Sequence, residues 1–225
     1  VPRLLAAGLL HKLDDETVML PRQVGQLLRG EQPDPVTFSA PTTEASTALP
    51  MTDVDAAGAG AAIDLMHEVD VILRTLSETP ISELRSGGLG VREMKRLAKL
   101  SGVKERRLGL ILEIAYAAGL IANGVPDPEP DTGTPPWWAP TSGADRYTDS
   151  STAARWQVLA GTWFDLPARP SLIGERGPDA KPYVALSHSL YSSAAPLDRR
   201  LLLEVLDELP PGTVVSADHV SKLMV

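Results

Sequence analysis

Two helical patterns that meet at one glycine constrain the fold of this chain more than any other feature. In the first pattern, Leu97 and Leu100 recur on one helix face, and we expect both side chains to point into the core. Gly102 follows where a tight turn between two helices needs a residue that tolerates a positive φ. Leu108 and Ile111 then return the second pattern to the core at helical spacing. The sequence therefore predicts a helix-turn-helix.

The segments on either side of this motif extend the prediction to a winged helix. The second pattern runs out at residues 117–119, and an extended apolar segment begins directly after it, as where a recognition helix passes into its wing. Residues 81–85 suit a short strand ahead of the motif, and residues 138–141 suit the return strand of a long wing. A first helix is predicted over residues 60–78 from apolar positions at helical spacing: Ile63, Met66, Val69, Ile72, Leu73 and Leu76.

The predicted fold class is mainly α (α+β), with tandem winged-helix or helix-turn-helix units and short β-hairpin wings. Residues 1–30 fit the C-terminal part of a first unit, because a helix end, a hairpin and a helix opened by Pro21 follow in order. Residues 6–10 also echo residues 117–121, which favours a tandem repeat. The other predicted parts are a linker at 31–59, a central winged-helix domain with a long wing at 60–150, a helical and loop extension at 151–195, and the start of a third, truncated unit at 196–225. The chain begins at Val1 and stops in mid-pattern, so we expect a piece of a longer protein.

The extension after residue 150 contains further predicted elements. Residues 152–166 form an amphipathic pattern on which Trp156, Leu159 and Trp163 share one face, and we interpret the two tryptophans as core anchors. Residues 183–186 predict a short strand. A last pair of helices is predicted from the leucine-rich pattern that starts at residue 196 and from an N-cap at Ser216.

Positive charge is concentrated on the helix-turn-helix of an otherwise acidic chain. The formal net charge is −8, which argues against a uniformly basic nucleic-acid binder. Between Glu83 and Arg107, however, eight basic residues face three acidic ones. We expect phosphate contacts from seven of them: Arg92, Lys95, Arg96, Lys99, Lys104, Arg106 and Arg107.

A solvated charged face on a protein-packing module explains the same pattern. Glu93, Glu105 and Glu113 interrupt the basic face. The second helix is also apolar over much of its circumference, more than a helix that lies in a major groove should be. Both interpretations remain open at the level of the sequence.

Catalytic and cofactor-binding patterns are absent from the sequence. Its four histidines lack metal-ligand spacing, and no nucleophile elbow accompanies Ser187-His188-Ser189. The glycines before residue 91 match no nucleotide-binding loop, because no Gly-Lys-Ser/Thr follows and Glu93 replaces the third glycine of a dinucleotide fingerprint. The sequence has no cysteine and no apolar run of membrane-spanning length, and no charged start followed by an apolar core resembles a signal peptide. We therefore expect a cytoplasmic protein that is not an enzyme and binds no metal or cofactor.

Several segments resemble actinobacterial helicase-associated proteins whose C-terminal region is similar to the N-terminal domain of XPB-type helicases. The segments are LLAAGLLHKLDDETVMLPRQVGQLLRG, VDAAGAGAAIDLMHEVDVILRTL, ELRSGGLGVREMKRLAKLSGV and RWQVLAGTWFDLP. The resemblance implies a non-enzymatic winged-helix protein that acts in DNA repair or transcription, with DNA or with an XPB-type helicase as its partner.

Two functional hypotheses follow. In the first, the seven cations hold DNA phosphates without reading the base sequence, so binding weakens steeply with salt. In the second, the winged helices form a docking scaffold for a helicase or another protein without direct DNA contact.

Overall fold

The structure is a computed structural model that describes residues 2–12, 17–31, 48–177 and 179–223. The chain divides into two compact units, Val1–Thr43 and Glu44–Val225. The finer predicted boundaries at residues 150 and 195 stay predictions.

The first unit contains the helix, hairpin and helix that its sequence predicts. Helix α1 (Pro2–Ala6) ends before Gly8, whose φ is 69°. Strands β1 (His11–Lys12) and β2 (Val18–Met19) pair antiparallel, and α2 (Arg22–Leu28) follows. The turn of the hairpin, at residues 13–16, lies outside the described residues.

The second unit begins with a helix longer than the sequence pattern predicts. Helix α3 (Met51–Glu78) starts directly after Pro50, so residues 51–59 of the expected linker are helical. This added part is fully exposed and has no apolar stripe, so the spacing of apolar residues does not predict it. Its alanines stabilise the helix there, because alanine has the highest helix propensity. Of the six apolar positions that predict this helix, Ile63 is exposed and the five later ones are buried. Residues 32–47 of the expected linker lie outside the described residues.

A small sheet and two helices follow in the order that the winged-helix prediction requires. Strand β3 (Ile81–Ser82) precedes α4 (Val91–Ser101) and α5 (Glu105–Ala117), and strands β4 (Ile121–Gly124) and β5 (Trp137–Pro140) come after them. The strand order is β3-β5-β4, and both pairings are antiparallel. The predicted mainly α (α+β) class is thereby confirmed. The winged-helix assignment stays a prediction.

The turn between α4 and α5 has the predicted geometry, with one exception in its core contacts. Gly102 adopts a φ of 72°, and Val103 is buried behind it. Leu97 is fully buried, but Leu100 is 54% exposed, so its predicted core position is wrong. The core stripe of α4 runs instead through Met94 and Leu97, and Leu100 lies beyond the edge of that stripe.

The C-terminal part of this unit packs against the central helices. Its helices are α6 (Ser142–Thr148), α7 (Thr152–Asp165), α8 (Ala195–Asp207) and α9 (Ala217–Leu223), with short 3-10 turns at Pro170–Leu172 and His188–Leu190. Leu159, Leu166 and Leu190 belong to the same buried cluster as Leu108 and Ile111 of α5. The extension and the helix-turn-helix therefore share one core.

The elements of this extension match the sequence predictions only in part. The hydroxyl of Ser216 accepts a hydrogen bond from the backbone N–H of His219, which confirms the predicted N-cap. Helix α6 is not predicted, and the expected strand at 183–186 is reduced to an isolated bridge between Leu89 and Ala185. Trp163 packs against the core, but Trp156 is 41% exposed and does not anchor it. Within the described residues, no helix is long and apolar enough to cross a membrane.

Candidate nucleic-acid interface

The seven cations predicted to contact phosphate are all exposed on α4 and on the first turn of α5. Two of them have acidic partners. The Nε atom of Arg96 lies 2.7 Å from Oε2 of Glu93, and Arg107 forms an ion pair with Glu68 of α3. Exposed pairs of this kind stabilise a fold by only about 0–1 kcal/mol, but they cancel charge locally. Within the described part of the chain, no carboxylate pairs with the other five: Arg92, Lys95, Lys99, Lys104 and Arg106.

Most of α5 is buried, which limits what it can present to a nucleic acid. From Leu108 to Ala115, every residue except the half-buried Leu110 is buried. The cover is tight, since a Cβ on Gly109 would lie 2.7 Å from Cδ1 of Ile173. The apolar circumference noted in the sequence is therefore buried between the core of α3 and α4 on one side and the extension on the other. The cationic part of α5 that remains open for contacts of the recognition-helix kind is its first turn.

The predicted wing carries negative charge. Its loop, residues 125–136, contains Asp127, Glu129 and Asp131 and no basic residue. It borders an open cleft of about 1250 Å³ that is also lined by Arg92 and Arg96. Seven carboxylates face these two arginines in this acidic cleft: Glu78, Glu83, Glu93, Asp127, Glu129, Asp131 and Asp145. Because this surface repels phosphate, we exclude Arg92 and Arg96 from the candidate interface.

A second cleft collects the predicted cations of α5 with residues that are distant in sequence. It has a volume of about 730 Å³ and lies between the start of α5, α7, the 3-10 turn at 170–172 and α8. Five of its lining residues are cationic and one, Asp198, is acidic. We call it the cationic cleft; its cations are Lys104, Arg106, Arg107, Arg169 and Arg199.

Arg199 is held in a fixed position within this cleft. Its guanidinium donates hydrogen bonds to the backbone carbonyls of Leu166 and Ala168, the second at 2.7 Å. It also lies over the ring of Trp163, with 5.6 Å between Cζ and the ring centroid. Burial lowers the pKa of Arg199, but an arginine begins far above neutral pH and keeps its charge. Arg199 therefore offers a pre-positioned positive charge beside an aromatic ring.

The remaining cations of the cleft differ in how freely they can bind an anion. Arg169 is engaged with Asp198, with 2.9 Å between Nη2 and Oδ2. Lys104 and Arg106 have no such carboxylate within the described residues and are exposed. Lys104 also occupies the N-cap of α5 without a side-chain acceptor, so the first N–H groups of the helix add to the positive potential. Lys104 and Arg106 are thus the two side chains most available to a phosphate.

The structure brings together only part of the predicted site and adds residues that the sequence did not identify. Lys104, Arg106 and Arg107 meet in the cationic cleft, whereas Lys95 and Lys99 lie on the outer face of α4. The sequence does not predict Arg169 and Arg199 as part of the site, because no local spacing links them to α5. Tertiary packing brings them to the cleft at the start of α5.

The Ser187-His188-Ser189 segment does not line this cleft. Among the residues that the structure describes, no three His, Asp or Glu side chains are grouped to hold a metal ion. The hydroxyls of Ser187 and Ser189 lie 2.6 Å apart, and the ring of His188 between them in sequence stacks on Tyr191. His188 is therefore turned towards an aromatic neighbour, and the two hydroxyls pair with each other.

No known protein family, curated protein or solved structure matches this chain.

Proposed function

We propose that this chain is a non-catalytic winged-helix protein that holds nucleic acid by its phosphates and acts in DNA repair or transcription, in association with an XPB-type helicase. The observation that supports it is the convergence of five cations from three parts of the chain on one cleft of an acidic protein. Phosphate neutralisation by Lys and Arg supplies most of non-specific nucleic-acid affinity.

The proposed contact differs from that of a winged helix that reads bases. The buried face of α5 cannot enter a major groove, and the acidic loop at 125–136 cannot follow a phosphate backbone. Contacts confined to the cationic cleft position a nucleic acid and carry no base information. The proposed binding is therefore independent of sequence and strongly dependent on salt.

A salt titration of nucleic-acid binding tests this proposal. For the wild-type chain, we expect the logarithm of the association constant to fall linearly with the logarithm of the salt concentration. The double variant Lys104→Ala/Arg106→Ala should lower the magnitude of that slope by about 1.4 for a single strand or about 1.8 for a duplex, because two phosphate contacts are lost.

The matched control is Arg74→Ala/Arg146→Ala, which removes the same charge from exposed positions of α3 and α6 outside the cleft. It should leave the slope unchanged. Equal loss in both double variants would show that only net charge matters, and absence of salt-dependent binding in the wild type would refute the proposal.

A docking scaffold remains a second candidate because α8 exposes apolar side chains. Leu197 and Leu201 lie one helical turn apart and are 57% and 44% exposed. Such a pair suits the groove of a protein partner. If docking is the function, Leu197→Ser/Leu201→Ser will abolish binding to a purified XPB-type helicase, and the Lys104 and Arg106 variants will not.

A further inference from the structure

We infer that the cationic cleft receives an unpaired nucleotide, so that the chain binds single-stranded nucleic acid in preference to duplex. This inference rests on the proposed phosphate-binding function and names the form of nucleic acid that the same site takes.

The shape of the cleft suits a nucleotide. Its volume of about 730 Å³ falls within the range of about 300–1,000 Å³ that is usual for small-molecule sites. A duplex presents its phosphates on a convex surface with the bases stacked inside, and it cannot insert a base into a concave site without opening. A single strand can place one nucleotide in the cleft while its backbone continues outside.

The lining of the cleft offers different surfaces to the two halves of a nucleotide. Lys104 and Arg106 lie at the start of α5, where a phosphate can approach them from solvent. Apolar side chains from three helices form another part of the lining: Leu110, Trp163, Ala195 and Leu202. A base packs on such a surface whatever its identity, because every base has an apolar π-face. Cations combined with an aromatic group are typical of sites that bind single strands without base preference.

Arg199 links these two surfaces. Its hydrogen bonds to Leu166 and Ala168 fix the guanidinium beside Trp163 before any ligand arrives. Stacking of a base on an arginine plane or on an aromatic ring then requires little ordering of the protein.

The surfaces around the cleft disfavour a duplex. A duplex needs a long series of phosphate contacts, but the described cations outside the cleft include two arginines that face seven carboxylates. The helix face that would enter the major groove is buried. A few contacts concentrated in one cleft suffice for a single strand and give a duplex little affinity.

The test compares a fluorescein-labelled oligothymidine with a duplex of equal length, at matched salt, by fluorescence anisotropy. We expect the oligothymidine to bind at least about tenfold more tightly than the duplex, because only the single strand can stack a base in the cleft. The variant Trp163→Leu keeps an apolar side chain against the core but removes the ring, and it should weaken oligothymidine binding about tenfold, since stacking of one base contributes this order of affinity. The control Trp156→Leu changes an exposed tryptophan of the same helix that does not line the cleft, and it should bind as the wild type does.

A second measurement avoids dependence on the stability of the leucine variant. In a Trp156→Phe background, oligothymidine should quench the tryptophan fluorescence of the chain, and adding Trp163→Phe should remove that quenching, because the other two tryptophans, Trp137 and Trp138, are buried. Equal affinity for oligothymidine and duplex, with quenching unchanged by Trp163→Phe, would overturn the inference while the phosphate-binding function stands. Absence of salt-dependent binding to either probe would overturn both.

Discussion

The carboxylate of Glu113 accepts a hydrogen bond from the backbone N–H of Leu186, with 2.5 Å between Oε1 and the nitrogen. Glu113 lies in the middle of α5 and is buried, and Leu186 adopts a φ of 60°, which is uncommon for a residue with a side chain. Burial raises the pKa of Glu113 to about 7, although the hydrogen bond from Leu186 acts in the opposite direction. One ionisable group therefore joins the helix-turn-helix to the extension that covers it.

This pKa predicts a specific pH dependence of stability. Between pH 4.5 and about pH 7, Glu113 is protonated in the folded state and ionised in the unfolded state, where its pKa is the ordinary 4.5. The contribution of Glu113 to the free energy of unfolding is therefore highest below pH 4.5, falls as the pH rises, and is lost above about pH 7. The shift corresponds to roughly 3 kcal/mol.

Denaturant unfolding of the wild type and of Glu113→Gln across this pH range measures the effect. The difference between their free energies of unfolding should change by roughly 3 kcal/mol in favour of Gln from about pH 4.5 to about pH 8, whatever its constant offset. Glu113→Leu also lacks the carboxyl group, so the difference between its free energy of unfolding and that of the wild type should change with pH by the same amount. Parallel curves for the wild type and both variants would contradict a raised pKa.

Alanine substitutions at two adjacent glycines before α4 measure the cost of backbone strain and the cost of a steric clash separately. Gly87 and Gly88 have φ angles of 86° and 82°, but only Gly88 is closely packed. A Cβ on Gly88 would lie 2.7 Å from the carbonyl oxygen of Ala185, whereas a Cβ on Gly87 would meet open space. Gly87→Ala should lower the free energy of unfolding by about 1–2 kcal/mol, the cost of a left-handed residue with a side chain.

Gly88→Ala should cost about 1–3 kcal/mol more than Gly87→Ala, because it adds a clash with the segment at 185–187. Denaturant titration of both variants gives the difference directly. Equal costs would mean that the segment at 185–187 moves away freely and does not pack tightly on the turn.

Charge reversal should affect nucleic-acid binding differently at two predicted cations. Arg96 is paired with Glu93 and faces the acidic cleft, whereas Lys104 is unpaired within the described residues and lines the cationic cleft. Arg96→Glu and Lys104→Glu change the net charge equally. Anisotropy titrations at fixed salt should show less than about a twofold loss for Arg96→Glu and about a tenfold or greater loss for Lys104→Glu. A larger loss for Arg96→Glu than for Lys104→Glu would show that nucleic acid binds at the exposed face of α4 and not in the cationic cleft.

The sequence by itself determined the elements whose signals are local. The glycine at 102, the apolar spacing of α5 and the turn before α4 predict helices and a turn because backbone conformation there depends on neighbouring residues. The helix, hairpin and helix of the first unit followed from equally local signals. The exposed, alanine-rich start of α3 has no apolar stripe, so the apolar spacing predicts a helix that begins nine residues too late.

The candidate site was decided by tertiary structure. The seven predicted cations all lie within residues 92–107. The fold nevertheless places Arg92 and Arg96 at an acidic cleft and brings Lys104, Arg106 and Arg107 together with Arg169 and Arg199. The charge of a short sequence segment does not show which carboxylates from distant residues lie close to it in the folded chain. Likewise, the apolar circumference of α5 is explained only by the extension that buries it, since burial depends on contacts between residues far apart along the chain.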